Sequence, residues 1–279
     1  MIGADGVNGV DGTNGVDGAS SVDRAGGAAG HPDDPLRLLE DGRHALFLDF
    51  DGTLVELVAR PELVALAPAL QHTIALLQQL LDGRLALVSG RPVAQIDALL
   101  APLCVPVAGV HGLERRGVDG VLRRAAIPDM SSVLAAASAL AAAHAGLWVE
   151  QKYGALALHY RQAPQLGPLC EATMRAAVLA CPGTVLLHGK MVAEIKPAGI
   201  DKGTAIAAFL AEPPFAGHLA VFAGDDMTDE AGFALVQQGG GIGIKVGPGP
   251  SIARCRLDSP AALASSLAQL VQTLSRRTE

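Results

Sequence analysis

Residues 44–50, His-Ala-Leu-Phe-Leu-Asp-Phe, form a short apolar run bounded by turn-forming residues. A run without a polar face reads as a strand buried on both sides, as in a parallel sheet covered by helices. The next segment keeps a different period. Over 62–82 the residues Leu63, Leu66, Leu70, Ile74, Leu77 and Leu81 recur every three or four positions, which predicts a helix with one buried stripe. A second buried strand is expected at 84–89, a helix from about Pro92, and an apolar strand at 104–110. Strand, helix, strand, helix is the order of a parallel sheet joined by right-handed crossovers.

The middle of the chain changes character. A helix is expected at 131–145, strands at 147–152 and 155–161, a helix at 164–180, and strands at 184–188 and 191–196. Two hairpin-like pairs, each preceded by a helix, predict an α+β unit with an antiparallel sheet. The first alternation then resumes with a helix at 202–211, strands at 218–223 and 241–246, and a final helix at 260–274. The expected fold class is α/β, a parallel-sheet core over 36–112 and 197–279 interrupted by an α+β insertion over 113–196. The glycine-rich segment 239–247 follows a helix and leads into a strand. That is the reverse of a dinucleotide-binding fingerprint, so it reads as a tight turn feeding a buried strand.

Residues 1–35 repeat a short Gly/Asp/Asn/Val unit. Their glycine density costs too much backbone entropy for the apolar area on offer, so a disordered low-complexity tail is expected. The period does not fit a calcium-binding nonapeptide array. Half of the 279 residues are hydrophobic, enough for a substantial core. The net charge of −7 and 3% aromatic content supply neither the basic patches nor the stacking rings of a nucleic-acid binder. In so acidic a chain, an anion must be met by locally concentrated Lys and Arg. Cys104, Cys170, Cys181 and Cys255 lie far apart without metal-ligand spacing, which suits a reduced, cytoplasmic protein. No run of 18 apolar residues and no secretory leader is found, so no membrane association is expected.

Open α/β sheets bind ligands beyond the carboxyl ends of their strands. The first expected strand ends in Asp49-Phe50-Asp51-Gly52-Thr53. Residues i and i+2 of an extended segment face one side, so Asp49 and Asp51 can address one bound group. One carboxylate can attack phosphorus while the other acts as acid and base; an ordinary strand-end turn uses the same residue types. Ser89 closes the second strand ahead of Gly90-Arg91-Pro92. It suits either a phosphoryl contact at a helix N-terminus or a helix cap. Lys202 opens a later helix and offers the cation that phosphoryl transfer needs. Lys196 competes for that part, although its place beside Pro197 marks it as a cap or sheet-edge residue. A further strand ends in Gly224-Asp225-Asp226-Met227-Thr228-Asp229-Glu230. Capping takes one aspartate; three in five residues repel one another unless a cation neutralises them, and carboxylates are ligands Mg²⁺ prefers.

The segments Phe47–Leu54, Leu87–Arg91, Ala108–Glu114, Ala157–Arg161, Gly189–Pro197 and Gly224–Glu230 carry a resemblance. Over residues 40–275 the chain resembles the haloacid dehalogenase superfamily, in its phosphatase branch with an inserted α+β cap. Within that branch it is similar to the bacterial trehalose-6-phosphate phosphatases. The resemblance implies a HAD-like Rossmannoid core and Mg²⁺-dependent hydrolysis of trehalose 6-phosphate. Asp49 would be the nucleophile and Asp51 the acid and base, with Ser89 and Lys202 on the phosphoryl oxygens. Asp49, Asp225 and the backbone carbonyl of Asp51 would bind the metal, Asp226 and Asp229 supporting or replacing Asp225. Glu150, Lys152, His159, Arg161, Lys190 and Glu194 would recognise the disaccharide, with Arg91 and His111 as contact or positioning groups. Sucrose phosphate or glucosylglycerol phosphate as substrate, or a non-catalytic sugar-phosphate-binding protein, are the alternatives. A monomer or weak homo-oligomer is expected.

Overall fold

The structure, a computed structural model, describes residues 34–57 and 64–278, all within one unit, Pro32–Glu279. The expected tail through residue 33 and Leu63 of the expected helical stripe lie outside the described residues. The strands are β1 His44–Leu48, β2 Leu85–Val88, β3 Val107–Gly109, β4 Glu114–Arg116, β5 Leu122–Arg124, β6 Trp148–Lys152, β7 Ala155–His159, β8 Thr184–Gly189, β9 Val192–Pro197, β10 Leu219–Gly224, β11 Ile242–Val246 and β12 Cys255–Leu257. The α-helices are α1 Pro68–Leu80, α2 Val93–Leu100, α3 Ser131–Ala143, α4 Gly167–Ala180, α5 Lys202–Leu210, α6 Glu230–Gln238 and α7 Pro260–Thr278.

Eight strands make one sheet in the order β12-β11-β10-β1-β2-β3-β4-β5. Neighbours from β12 to β3 are parallel, and β4 and β5 are added antiparallel. All five residues of β1 are buried, and the two-residue period sorts them between two cores. Leu46 and Leu48 join Ile74 and Leu77 of α1 and Leu263 and Leu267 of α7. Ala45 and Phe47 join Phe209 of α5 and Phe233 of α6 on the opposite face. Burial on both faces is why the run carries no alternating polar residues. Truncating Phe47 to alanine in such a core costs about 3–5 kcal/mol.

Three regions differ from expectation. The helix expected from residue 62 begins at Pro68, and Ala67 before it is extended at ψ 134°. Proline disfavours helix in the residue ahead of it and suits the first helical position. Residues 114–124, expected inside the insertion, instead extend the eight-stranded sheet as β4 and β5. Ion pairs hold this hairpin: Arg116 forks onto Asp97, Arg115 onto Glu212, and Glu114 accepts from Arg124 and from the Val93 amide. The short edge strand β12 also went unforeseen.

A second, antiparallel sheet has the order β6-β7-β9-β8. One face packs Leu156, Leu158, Ala193 and Ile195 against α3 and α4, with Val133, Cys170 and Met174 among the partners. The other face carries charged and aromatic residues. Lys196 lies on β9, an interior strand and not an edge, and its buried ammonium donates to the Ile200 carbonyl. All four cysteines are free, two of them buried and Cys104 exposed. Among the described residues no helix is long and apolar enough to cross a membrane.

Candidate active site

β10, β1 and β2 are parallel neighbours, so their carboxyl ends deliver Asp225, Asp49 and Ser89 to one rim. Asp49 continues the ladder, its amide donating to Ala223 O at 2.9 Å, as the Ser89 amide does to Ala108 O at 2.8 Å. α5 contributes Lys202 at its first position, fixed by a capping box between Asp201 and Thr204. The buried Lys202 ammonium donates to Asp49 Oδ1 and to Asp229 Oδ1, both at 2.7 Å. Thr53 Oγ1 donates to the other Asp49 oxygen at 3.1 Å. Asp229 Oδ2 accepts from the amides of Asp225 and Asp226, both at 2.9 Å. Asp229 therefore clamps the loop that carries its neighbours.

Two glycines make this crowding possible. A Cβ at residue 52 would overlap the Asp225 carboxylate, and one at residue 224 would overlap that of Asp229. Gly52 also takes φ +84°, which side-chain-bearing residues rarely adopt.

The cluster holds more negative charge than its ammonium balances. Burial drives the Asp49 carboxyl well above the usual range, Lys202 opposing it and Asp229, Asp225 and Asp226 adding to it. Burial likewise raises Asp229 to about 7 against the pull of Lys202. For Lys202, burial opposes the charge, but Asp229 and Asp49 outweigh it and hold the ammonium protonated. Carboxylate oxygens of Asp49, Asp225 and Asp229 lie within 4.8 Å of one another. This is a hard-oxygen donor set suited to a divalent cation, whose charge would relieve the imbalance.

Asp51 and Asp226, also expected at the metal, have their carboxylates engaged elsewhere. Asp51 is gripped by Arg91 through Nε at 2.6 Å and Nη2 at 2.7 Å. Arg91 also donates its amide to Ser89 Oγ. Asp226 Oδ1 accepts from the Thr228 amide and hydroxyl at 2.8 and 2.6 Å. Burial would raise its pKa, but Lys202 and these two donors bring it down to about 2.

The polar face of the second sheet forms the opposite wall of a cavity of about 510 Å³. Glu150 and Lys152 project from β6 at i and i+2, facing Ala157 and Ala155 on β7. Those small residues leave room for the larger side chains to meet above them. His159 Nε2 donates to Glu150 Oε2 at 2.9 Å, and Lys152 Nζ to Glu194 Oε2 at 2.9 Å. Burial works against all three charges at Glu150, Lys152 and Glu194, yet their partners prevail. Both glutamates are lowered and Lys152 is raised.

His111 follows β3 with φ +55° and brings Nε2 to 3.6 Å from Glu194 Oε1. Burial lowers its pKa to about 4, Glu194 only partly opposing, so the ring is neutral near pH 7. His111 Nδ1 and Glu194 Oε1 are buried with no hydrogen-bond partner among the described residues. Lys190, on the β8–β9 turn, reaches Asp225 Oδ2 at 3.1 Å, and Arg161 Nη2 donates to the Lys190 carbonyl at 3.0 Å. Of the candidates named above, all but Asp225, Glu194, Asp229 and Lys196 line this cavity; Asp225 and Glu194 line an adjoining one of about 190 Å³, Asp229 is fully buried, and Lys190 touches the acid cluster.

Three contributors went unnamed in the sequence. Lys245 is buried and donates to the carbonyls of Asp225 and Val246, so it braces the acid loop from β11. A lone charge within Ile-Gly-Ile-Lys-Val was its signal. Thr53 and Thr228, each near an aspartate of the motifs, are the other two.

Residues 47–261 match the family model described as Trehalose-phosphatase. A Sinorhizobium fredii protein named "Probable trehalose-phosphate phosphatase" is 46% identical over 206 residues, 73% of this chain and 78% of that protein. The trehalose-6-phosphate phosphatase of Escherichia coli is 40% identical over 239 residues, 85% of this chain and 90% of that protein. A solved trehalose-6-phosphate phosphatase related protein shares 26% identity at a TM-score of 0.68, over 84% of this chain and all of that one. A haloacid dehalogenase-like hydrolase from Bacteroides thetaiotaomicron has the same fold, with a TM-score of 0.59, 13% identity, and 81% and 99% coverage.

Proposed function

We propose, from the premise that the chain belongs to the trehalose-phosphatase family, that it hydrolyses trehalose 6-phosphate to trehalose and phosphate. One observation carries the reading furthest. A single cavity joins a buried carboxylate–lysine cluster to a wall of paired donors and acceptors.

Asp49 is the nucleophile. Its carboxylate oxygen bonds to phosphorus as the bond from phosphorus to the sugar oxygen breaks, and Asp51 gives that oxygen a proton. Asp51 then takes a proton from water, which attacks the aspartyl phosphate and frees Asp49 and phosphate. Lys202 and Ser89 hold the phosphoryl oxygens, and Lys202 keeps Asp49 oriented between turnovers. Asp49, Asp225 and the backbone carbonyl of Asp51 would hold Mg²⁺, which supplies positive charge against the phosphate. Asp229, both of whose oxygens are already bonded, steadies the loop. The close approach of the Asp49 and Asp225 carboxylates supports this choice of ion.

The second sheet with α3 and α4 acts as a cap inserted between β5 and α5, covering the sugar and excluding bulk water. The unpartnered Glu194 and His111 atoms favour a polyhydroxyl ligand, because a buried polar atom left unpaired costs about 1–3 kcal/mol. The four free thiols suit a reducing compartment, the cytoplasm. Phosphate release from trehalose 6-phosphate, sucrose phosphate, glucosylglycerol phosphate and glucose 6-phosphate tests the assignment. Trehalose 6-phosphate is expected to give the highest kcat/KM by at least tenfold, and comparable values across the panel would defeat it.

A further inference from the structure

Trp148 has no part in the chemistry above, yet it stands where the sugar-facing wall is organised. It shares one face of β6 with Glu150 and Lys152 and lies directly opposite His159 on β7. The indole and imidazole are stacked, with centroids 3.8 Å apart and planes within 1°. Directly opposed side chains on adjacent strands are the closest neighbours a sheet offers. The stack fixes the plane of the His159 ring, and Glu150 fixes which edge it presents. His159 reaches Glu150 diagonally above the small Ala157, with Trp148 opposite it on β6 and Val192 opposite it on β9. About a third of Trp148 remains exposed, and the residue lines the same cavity as Asp49 and Lys202.

We propose that Trp148 is a positioning residue for sugar recognition, holding His159, and through it Glu150, in the orientation that meets the hydroxyls of the substrate. The inference rests on the disaccharide-phosphate reading above. It assigns to the chain's one tryptophan a share of ground-state binding and none of the phosphorus chemistry.

Two measurements test it. In Trp148→Ala the KM for trehalose 6-phosphate is expected to rise about fivefold, with kcat falling by less than about twofold, and Trp148→Phe to recover most of the loss. A merely structural role would lower kcat on trehalose 6-phosphate and on p-nitrophenyl phosphate alike. That parallel loss, an unchanged KM, or failure of phenylalanine to rescue overturns the assignment. The second measurement leaves Trp148 in place and so decides the matter even where the alanine variant does not fold. Asp49→Asn protein is titrated with trehalose 6-phosphate or with inorganic phosphate while its tryptophan emission is followed. A saturable change with the sugar phosphate and none with phosphate supports the inference; equal changes, or none, overturn it. Wild-type protein that gives the sugar-specific change without turnover would defeat the proposed function and leave the inference standing.

Discussion

The two walls of the cavity treat charge in opposite ways. At the strand ends Asp49, Asp225, Asp226 and Asp229 crowd around Lys202, and their pKa values are driven apart: Asp49 well up, Asp229 to about 7, Asp226 down to about 2. On the second sheet Glu150, Lys152, Glu194 and His159 pair off, and the shifts of Glu150, Lys152 and Glu194 favour their charged forms. The first wall is short of positive charge and suits a cation and a phosphoryl group. The second has its charges paired, and with Glu194 Oε1 and His111 Nδ1 still without partners it suits a neutral polyhydroxyl group. The proposed function accordingly puts catalysis on the unbalanced wall and recognition on the balanced one.

The largest effect that could break this division is at Asp49. Asp49→Asn keeps the shape and removes the nucleophilic charge, so phosphate release from trehalose 6-phosphate should fall by at least about 10³-fold. Melting should not drop, because one charge leaves a buried, over-acidic cluster. Release within tenfold of wild type would remove chemistry from this wall. Asp51→Asn comes next, with a loss of about 10²–10⁴-fold on the sugar phosphate. The loss should be much smaller on p-nitrophenyl phosphate, whose leaving group needs no proton. Equal losses on both substrates would make Asp51 a structural partner of Arg91 instead.

Glu194→Gln sharpens the other half. It weakens the partner of Lys152 and unbalances the recognition wall, so KM for trehalose 6-phosphate should rise about tenfold, with a smaller effect on the aryl phosphate. Steady-state kinetics on both substrates reads the difference. A fall in kcat with KM unchanged would place Glu194 with the chemistry.

The two walls also differed in how far the sequence disclosed them. Strand ends were legible because burial on both faces erases alternation, leaving runs such as 44–48 whose following residues stand out. Asp49, Ser89 and Asp225 were found in this way. The clamp made by Asp229 was not, since it depends on backbone amides that no residue pattern records. On the second sheet, the resemblance pointed to Glu150 and Lys152, but their partners required the register of β6, β7 and β9. Strand order, likewise hidden, moved Lys196 from an expected edge to an interior strand. The hairpin of β4 and β5 went unseen because ion pairs hold it, and periodicity reports apolar burial alone.

His111 stands between the two walls and gives the smallest effect, through pH. In the unfolded chain its pKa is near 6.5, and in the fold burial lowers it to about 4. Between those values the unfolded state binds more protons, so the neutral ring's contribution is complete above pH 6.5 and is lost as the pH falls toward 4. Asp229 acts in the opposite sense. Its raised pKa makes the fold take up a proton below about pH 7, which stabilises it on acidification and flattens the total curve. Only a difference isolates His111. His111→Asn serves, because asparagine tolerates the positive φ of this position. Between pH 7 and pH 5 the wild type should lose about 2 kcal/mol more stability than the variant, read by urea unfolding at each pH. Identical losses would show that His111 is not held neutral, and that the boundary between the unbalanced and balanced walls lies elsewhere.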